Sequence, residues 1–407
     1  MKAHKKKHIR DPIHGSIELS EAEVKLLDTP QMQRLRNIKQ NGLCYLVYPA
    51  LNLTRFEHSL GVMHLAGKLG TNIGLESDDI NILRAAGLLH DVGHCALSHT
   101  SDDLLELFSL THEKIAADII NREIIGDILE EQGIDKKKIS SLIIGEDEGI
   151  LGEIISSESD IDKMDYLIRD SYHAGVAYGV IDSERIIRTV KIVEDNRGAQ
   201  RIALDYRGLE ALESLLIGRN MMFQTVYRHH AKRIAEAMVS NVLVHVFNTK
   251  NKLKQFLKFD DISLFSYMRK TRSEYARDIF KRIEHRRLFK SVFAEKIEPI
   301  HEMFRKELKN NKRKIEKKIC NDMDIPEGYL LLDMPQSKLP DFKLLIDDRG
   351  TLKKIFELSE IARALGRSEM EKLTFCVYID PKYRSRVENL NMQNYIEYSQ
   401  KSLTKFL

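Results

Sequence analysis

Residues 88–99, LLHDVGHCALSH, set three imidazoles and a carboxylate into an otherwise apolar segment. Burying His90, Asp91, His94 and His99 costs free energy unless other groups satisfy them. The fold must therefore bring polar partners to this segment. Adjacent His90 and Asp91 offer a nitrogen and one or two oxygens to the same point in space. Two ligands rarely hold a metal alone. Upstream His58, in TRFEHSLGV, and downstream Asp162, in SDIDKMDY, complete a set of two histidines and two carboxylates. Such a set suits one divalent cation: octahedral Mn, Fe, Mg or Ni, or Zn with open positions. A cation with an open position activates water near neutral pH.

The neighbouring residues suit an anion. Arg55 stands three residues before His58, and Lys163 follows Asp162. Asp162, Tyr166 and Asp170 are spaced by four, so one helix face presents all three. Arg55, Lys163 and Tyr166 beside a metal would clamp an oligophosphate. His94, His99, His112 and Glu113 are candidates for a general acid or for orienting partners. Taken singly, each of these residues is equally an ordinary helix ion pair or core residue. The combination of HDxGH with an upstream Arg-Phe-Glu-His and a downstream Asp-Lys is what points to a metal.

The 407 residues exceed one ordinary core and suggest two lobes, or one large helical domain with an appendage. Charged residues make up 31% with a net charge of +3, too even a balance for general nucleic-acid binding. Cys44, Cys95, Cys320 and Cys376 have no CxxC spacing, which argues against disulfides or a cysteine zinc site and fits a reducing cytoplasm. The basic N-terminus has no apolar signal region, and no apolar run suits a bilayer span.

Most of the chain reads as helix, so the expected class is mainly α, with a helical core, a short β-hairpin and a smaller C-terminal α+β lobe. ELSEAEVKLLDTPQMQRLRNIKQ reads as a helix broken and restarted at Asp28-Thr29-Pro30. GLCYLVYPALNLTRF suits the hairpin. Ser77 suits an N-cap for DDINILRAAGLLHDVGH, and SDIDKMDYLIRDSYHAGV is a helix ending at Gly175. RIALDY is a strand, followed by one long helix from about Arg207 to Asn248, and TKNKLKQ is a linker. The expected division is a core over 1–248 and a lobe over 249–407. Beyond the linker, helices are expected near 260–284 and 299–318, then strands at YLLLDM, FKLLID and FCVYID, and a closing helix. The stretch 305–318 holds eight Lys or Arg against two Glu, which reads first as a solvated helix face.

The blocks DPIHGSIEL, LLDTPQMQRLRNIKQ, RFEHSLGV, GLLHDVGH, THE and DKMDYLIRDSYH run in order from residue 7 to about 190. Together they resemble the HD-domain phosphohydrolases, named for the paired ligands. Within that superfamily they are most similar to the deoxynucleoside triphosphate triphosphohydrolases that join a SAM and an HD domain. The chain starts at the first HD-family block, so no SAM domain is expected. The resemblance implies that water cleaves a dNTP at the α-phosphate, giving deoxynucleoside and inorganic triphosphate. It implies that His58, His90, Asp91 and Asp162 hold the metal and that Arg55, Lys163 and Tyr166 grip the phosphates. His94, His99, Asp102 and His112 would surround the scissile bond, and Gln40 and Asp170 would contact the sugar.

The resemblance also implies a regulatory site for GTP or a dNTP at a subunit interface of a homotetramer. Asp28, Gln33, Arg36 and Lys7 match its pattern, and Arg185, Arg277 and Lys281 match further basic contacts. Residues 1–40 would then be regulatory or interfacial, and 249–407 would serve oligomerisation or regulation. Asn41, Asp205, Phe223 and Gln224 depart from the mammalian pattern, so substrate range and activation do not follow from the resemblance. Two other readings stand beside this one: an HD phosphohydrolase acting on another nucleotide, and a non-catalytic nucleotide sensor or nucleic-acid binder using 305–318.

Overall fold

The computed structural model describes residues 7–122, 124–156, 161–195, 197–296, 302–335 and 344–395, and it is mainly α. The strands are β1 (Lys7–Asp11), β2 (Gly15–Leu19), β3 (Val190–Glu194), β4 (Gln200–Asp205), β5 (Lys290–Lys296), β6 (Leu330–Asp333), β7 (Leu345–Asp348), β8 (Thr351–Lys354) and β9 (Thr374–Ile379). The helices that organise the site are α1 (Glu21–Leu27), α2 (Pro30–Arg34), α3 (Arg55–Asn72), α4 (Ser77–Leu89), α5 (His112–Arg122), α6 (Ile161–Ala174), α7 (Leu209–Met222) and α8 (His230–Val246). Further on come α9 (Lys250–Phe256), α10 (Asp261–Lys270), α11 (Glu274–Glu284) and α12 (Glu302–Asp322).

Two compact units are each assembled from several stretches. The first comprises Met1–His229, Phe247–Ser266 and Pro340–Leu365; the second comprises His230–Val246, Tyr267–Leu339 and Gly366–Leu407. A single cut at residue 248 therefore does not separate them. The chain returns to the first unit because β4 has a free edge after pairing antiparallel with β3. Strand β7 adds to that edge in parallel, with Leu204 opposite Ile346, and β8 pairs antiparallel with β7. Leu204 and Ile346 are both fully buried in the first core.

Local chemistry explains most boundaries. Ser20 and Glu23 form a capping box on α1, and Thr29 caps α2 with Pro30 at its first position, as the break at 28–30 foretells. The hairpin is β1–β2, not residues 42–56. Its turn closes because Asp11 Oδ1 accepts the N–H groups of Ile13 and His14 at 2.9 and 2.8 Å. Residues Gly42–Leu46 instead form a 3₁₀ turn, and Tyr48 donates its hydroxyl to Thr225 O at 2.8 Å, so the aromatics there anchor a loop. Ser77 begins α4 rather than capping it, and α4 stops at Leu89, leaving HDVGH in a turn.

The long helix expected over 207–248 is broken. Helix α7 ends at Met222, residues Phe223–Tyr227 form a π-helical turn, and α8 starts at His230. Thr225 Oγ1 bonds back to Met221 O at 2.7 Å, a pairing that widens helical turns. TKNKLKQ is no linker, because Thr249 caps α9.

In the second unit β5, β9 and β6 form an antiparallel sheet. Ile315 and Ile319 of α12 share a buried cluster with Leu330, Leu332 and Val377. Arg313, Lys314, Lys317 and Lys318 are exposed, so this part of the basic stretch is the solvated face of an amphipathic helix. The side chains of 302–307 and 309, and the end of the expected closing helix at 396–407, lie outside the described residues.

Two close approaches build the first core around the HD segment. A Cβ at Gly61 on α3 would fall on Asp165 Oδ1 of α6, well inside contact distance. A Cβ at Gly93 would likewise fall on the His112 carbonyl. Glycine at these positions lets α6 and α5 reach the segment. Gly61→Ala should therefore destabilise the protein by about 1–3 kcal/mol, as overpacking does. A urea midpoint unchanged from wild type would contradict this account of the α3–α6 approach.

Candidate metal centre

Three element ends meet at one buried point. His58 lies in the first turn of α3, His90 caps the C-terminal end of α4 with Asp91 next, and Asp162 lies in the first turn of α6. His58 Nε2 is 2.8 Å from Asp162 Oδ1 and 3.8 Å from Asp91 Oδ2. His90 Nε2 is 3.3 Å from Asp91 Oδ1 and 3.8 Å from Asp162 Oδ1. Both Nε2 atoms are buried, and neither is satisfied by a protein hydrogen bond of standard geometry. His58, His90 and Asp162 offer ligand atoms close enough together for one divalent cation, and Asp91, beside them, forms a second such group with His94 and His112, so these residues fit the metal expected from the sequence.

The far nitrogens of both imidazoles are tied down. His90 Nδ1 lies 2.8 Å from Gly87 O, and His58 Nδ1 lies 2.8 Å from Asp165 Oδ2. Asp165 is fully buried and also contacts His14 Nε2 at 2.6 Å and both Nε and Nη2 of Arg169 at 2.9 Å. Arg169 Nη1 reaches Asp11 Oδ2 at 2.7 Å. Asp165, Arg169, His14 and Asp11 are not among the site residues expected from the sequence. A signal was present: DKMDYLIRD places Asp165 and Arg169 one turn apart on the helix that carries Asp162.

Burial opposes charge on His58, yet the close carboxylates of Asp162 and Asp165 push it up to about 10. The field that would hold a proton there is the field that would hold a cation. Burial would raise Asp91, but the Arg55 guanidinium, backed by His90 and His94, holds it well below the usual carboxylate range. Arg55 is itself buried, with Nη1 2.5 Å from Asp91 Oδ2 and Nε donating to Ser98 Oγ at 2.8 Å. Its Nη2 has no protein partner. Ser98 and the preceding Leu97 both adopt positive φ, 50° and 63°, a strained pair of the kind found at functional sites.

His94 is buried with Nε2 3.3 Å from Asp91 Oδ1, and its ring stacks on His112 at 3.8 Å. Burial and the Arg55 charge push His94 well below its ordinary value; burial also lowers His112, although Glu113 and Asp91 pull it up. His112 Nε2 is 3.2 Å from Glu113. His99 and Asp102 pair with each other at 3.1 Å on the exposed rim, and the His99 ring sits edge-on to His94.

On the other side, Tyr166 lies between His58 and Tyr227, with ring centroids 6.5 and 6.1 Å away. Tyr227 donates its hydroxyl to Asp170 Oδ2 at 2.7 Å. Burial pushes Asp170 up to about 6 against that hydrogen bond. Tyr227, carried inward by the π turn, is a further site residue that the sequence reading left out. Gln40 is buried with Oε1 unpaired, and Lys163 is half-buried beside Asp162.

The expected effector residues are less focused. Arg36 Nε donates to Gln33 Oε1 at 2.9 Å, and its guanidinium covers the Phe56 ring at 3.6 Å. Asp28 is exposed at the end of α1. Lys7 lines a cavity of about 960 Å³ together with Lys25, Lys68 and Arg84. Arg185 is exposed and donates to Arg207 O, while Arg277 and Lys281 lie on α11 in the second unit.

The HD domain family matches residues 55–170, and the HD associated region matches residues 181–406. This chain is an HD-domain protein. It is 34% identical over 398 residues to an uncharacterized protein of Methanocaldococcus jannaschii, covering 96% of this chain and 83% of the relative. It is 30% identical over 344 residues to human deoxynucleoside triphosphate triphosphohydrolase SAMHD1, covering 70% of this chain and 55% of the human protein. The chain thus spans about half the length of that relative. A crystal structure of a hypothetical protein from Aquifex aeolicus matches with a TM-score of 0.76 and 30% identity, covering 94% of this HD-domain protein and 100% of the other. Among the described residues, no helix is long and apolar enough to cross a membrane.

Asp162→Ala should lower bound divalent metal at least about tenfold, measured by mass spectrometry of the purified protein. Undiminished occupancy would remove Asp162 from the ligand set. Metal binding at pH 7 should also release about one proton, because His58 must lose its proton to become a ligand. Calorimetry in buffers of different ionisation enthalpy reads that release directly. Without metal, the raised value of His58 stabilises the fold fully below its unfolded value of about 6.5. That contribution is lost as the pH rises through about 10.

Proposed function

We propose that this protein hydrolyses deoxynucleoside triphosphates to deoxynucleoside and inorganic triphosphate, using one divalent metal ion. The observation that carries the reading is the meeting of His58, His90 and Asp162, with Asp91 3.3 Å from His90 Nε2, around two orphaned imidazole nitrogens, with cationic Arg55 on one flank and the Asp170–Tyr227 pair on the other. A divalent cation bound there supplies Lewis acidity toward a phosphoryl oxygen and toward water.

The protein's own groups account for the remainder. The free Nη2 of Arg55, with Lys163 and Tyr166, binds the phosphates. The oxygen of water joins the α-phosphorus, the bond from that phosphorus to the 5′ oxygen breaks, and the 5′ oxygen takes a proton. His112 is the group that delivers this proton, and the proton lost by water balances it. In the protein alone, burial and the Arg55 charge lower His94, and burial lowers His112 against the pull of Glu113 and Asp91. A triphosphate beside Arg55 cancels that charge and favours the imidazolium. Asp170, held by Tyr227, and Gln40 with its unpaired oxygen offer acceptors to a 3′-hydroxyl. His99, Asp102 and Glu113 complete the polar rim.

The effector reading is part of the same proposal: a guanine or deoxynucleotide held by Lys7, Asp28, Gln33 and Arg36, with Arg185, Arg277 and Lys281, in a homo-oligomer. The decisive assay offers each dNTP alone and in pairs and separates products by ion chromatography. Inorganic triphosphate is expected. Phosphate or pyrophosphate as the sole inorganic product would point to another HD phosphohydrolase reaction. Asp28→Ala should keep the metal while altering nucleotide dependence or sedimentation, and an unchanged activation curve and profile would remove Asp28 from the effector site.

A further inference from the structure

We propose that the β1–β2 hairpin positions a metal ligand: His14 and Asp11, acting through Arg169 and Asp165, fix the tautomer and aim of His58. The proposal rests on His58 being a ligand, as read above. Asp165 has two oxygens, and four nitrogens surround them. Oδ1 faces His14 Nε2 and Arg169 Nη2, while Oδ2 faces His58 Nδ1 and Arg169 Nε, all between 2.6 and 2.9 Å. The carboxylate can only accept, so both imidazoles carry hydrogen on the nitrogen that faces it. For a neutral His58 this leaves the lone pair on Nε2, the atom directed at Asp91 and Asp162.

Asp165 is in turn held from the hairpin. Asp11 Oδ1 accepts the turn N–H groups of Ile13 and His14, and Asp11 accepts from Arg169 Nη1 at 2.7 Å and Nη2 at 3.3 Å. The turn that orients His14 is therefore the turn that anchors Arg169. Arg169 and Asp165 are fully buried, and the His14 side chain is 9% exposed, so water does not replace these contacts. Gly61 contributes by leaving room for Asp165 against α3. An amide at 165 has one acceptor oxygen for four donors, so it cannot reproduce the arrangement. Lys7 stands at the other end of the hairpin, so displacement of β1 would be felt at His58.

The test is Co(II) binding by the full-length protein, read as affinity against a chromophoric chelator and as the visible absorption band, with circular dichroism reporting the fold. His58→Ala is the control for the ligand reading. If it binds Co(II) as wild type does, that reading fails and the relay with it. If it loses Co(II), the relay is judged on Asp165→Asn and His14→Phe. Asp165→Asn is expected to weaken binding about 10–100-fold and shift the band. His14→Phe keeps the ring bulk, removes the N–H that faces Asp165, and is expected to shift the band with a smaller loss of affinity. Should Asp165→Asn fail to fold, His14→Phe decides alone. A folded variant with wild-type affinity and an unshifted band overturns the relay while leaving His58 as a ligand.

Discussion

The geometry of the centre depends on one buried carboxylate. Asp165 accepts from two histidines and an arginine, and through them it joins the hairpin turn and helix α3 to the helix that carries Asp162. Burying several charges contributes little net stability, because desolvation offsets much of the attraction. What such a cluster supplies is a single permitted arrangement. Moving any member strands another charge in the interior, so His58 has one orientation and one tautomer. The bare glycine face at Gly61 makes this possible sterically, since a side chain there would occupy the position of the carboxylate oxygen.

The same region sorts its histidines into two electrostatic classes. His58 stands between two carboxylates and is pushed up to about 10. His94 shares Asp91 with the buried Arg55 and is pushed down by burial and that positive charge, and His112, stacked on it, is pushed down by burial. One side of the centre therefore attracts a cation, while the other presents a guanidinium with an unpaired Nη2 and two stacked imidazoles. A substrate that brings both a metal-seeking phosphoryl oxygen and a large negative charge matches the two halves at once. Asp91 sits at the junction: one oxygen pairs with Arg55, and the other lies 3.3 Å from both His90 and His94.

Helical class, the break at Asp28-Thr29-Pro30 and the strand at RIALDY were readable because each rests on local chemistry: periodicity, capping and β-branched content. Where local signals conflicted with tertiary demands, the reading went astray. Residues 42–56 are aromatic and β-branched like a strand pair, yet their rings anchor a loop. Residues 207–248 carry an unbroken apolar stripe, yet the π turn interrupts it and swings Tyr227 onto Asp170. No local pattern announces that β7, Leu345–Asp348, will return to pair with β4, because strand pairing between distant segments leaves little periodic trace.

The sequence alone determined the chemistry on offer: which side chains can bind a cation, which can bind phosphate, and the HD family they belong to. Those follow from residue type and from order along the chain. Only the tertiary structure decided which of them meet. It directed Arg55 onto Asp91 and set His99 and Asp102 at the rim. It recruited Asp11, His14, Asp165, Arg169 and Tyr227, whose roles exist only through contacts across the fold. A ligand can be recognised by its type, but the atom that holds it in place is chosen by packing.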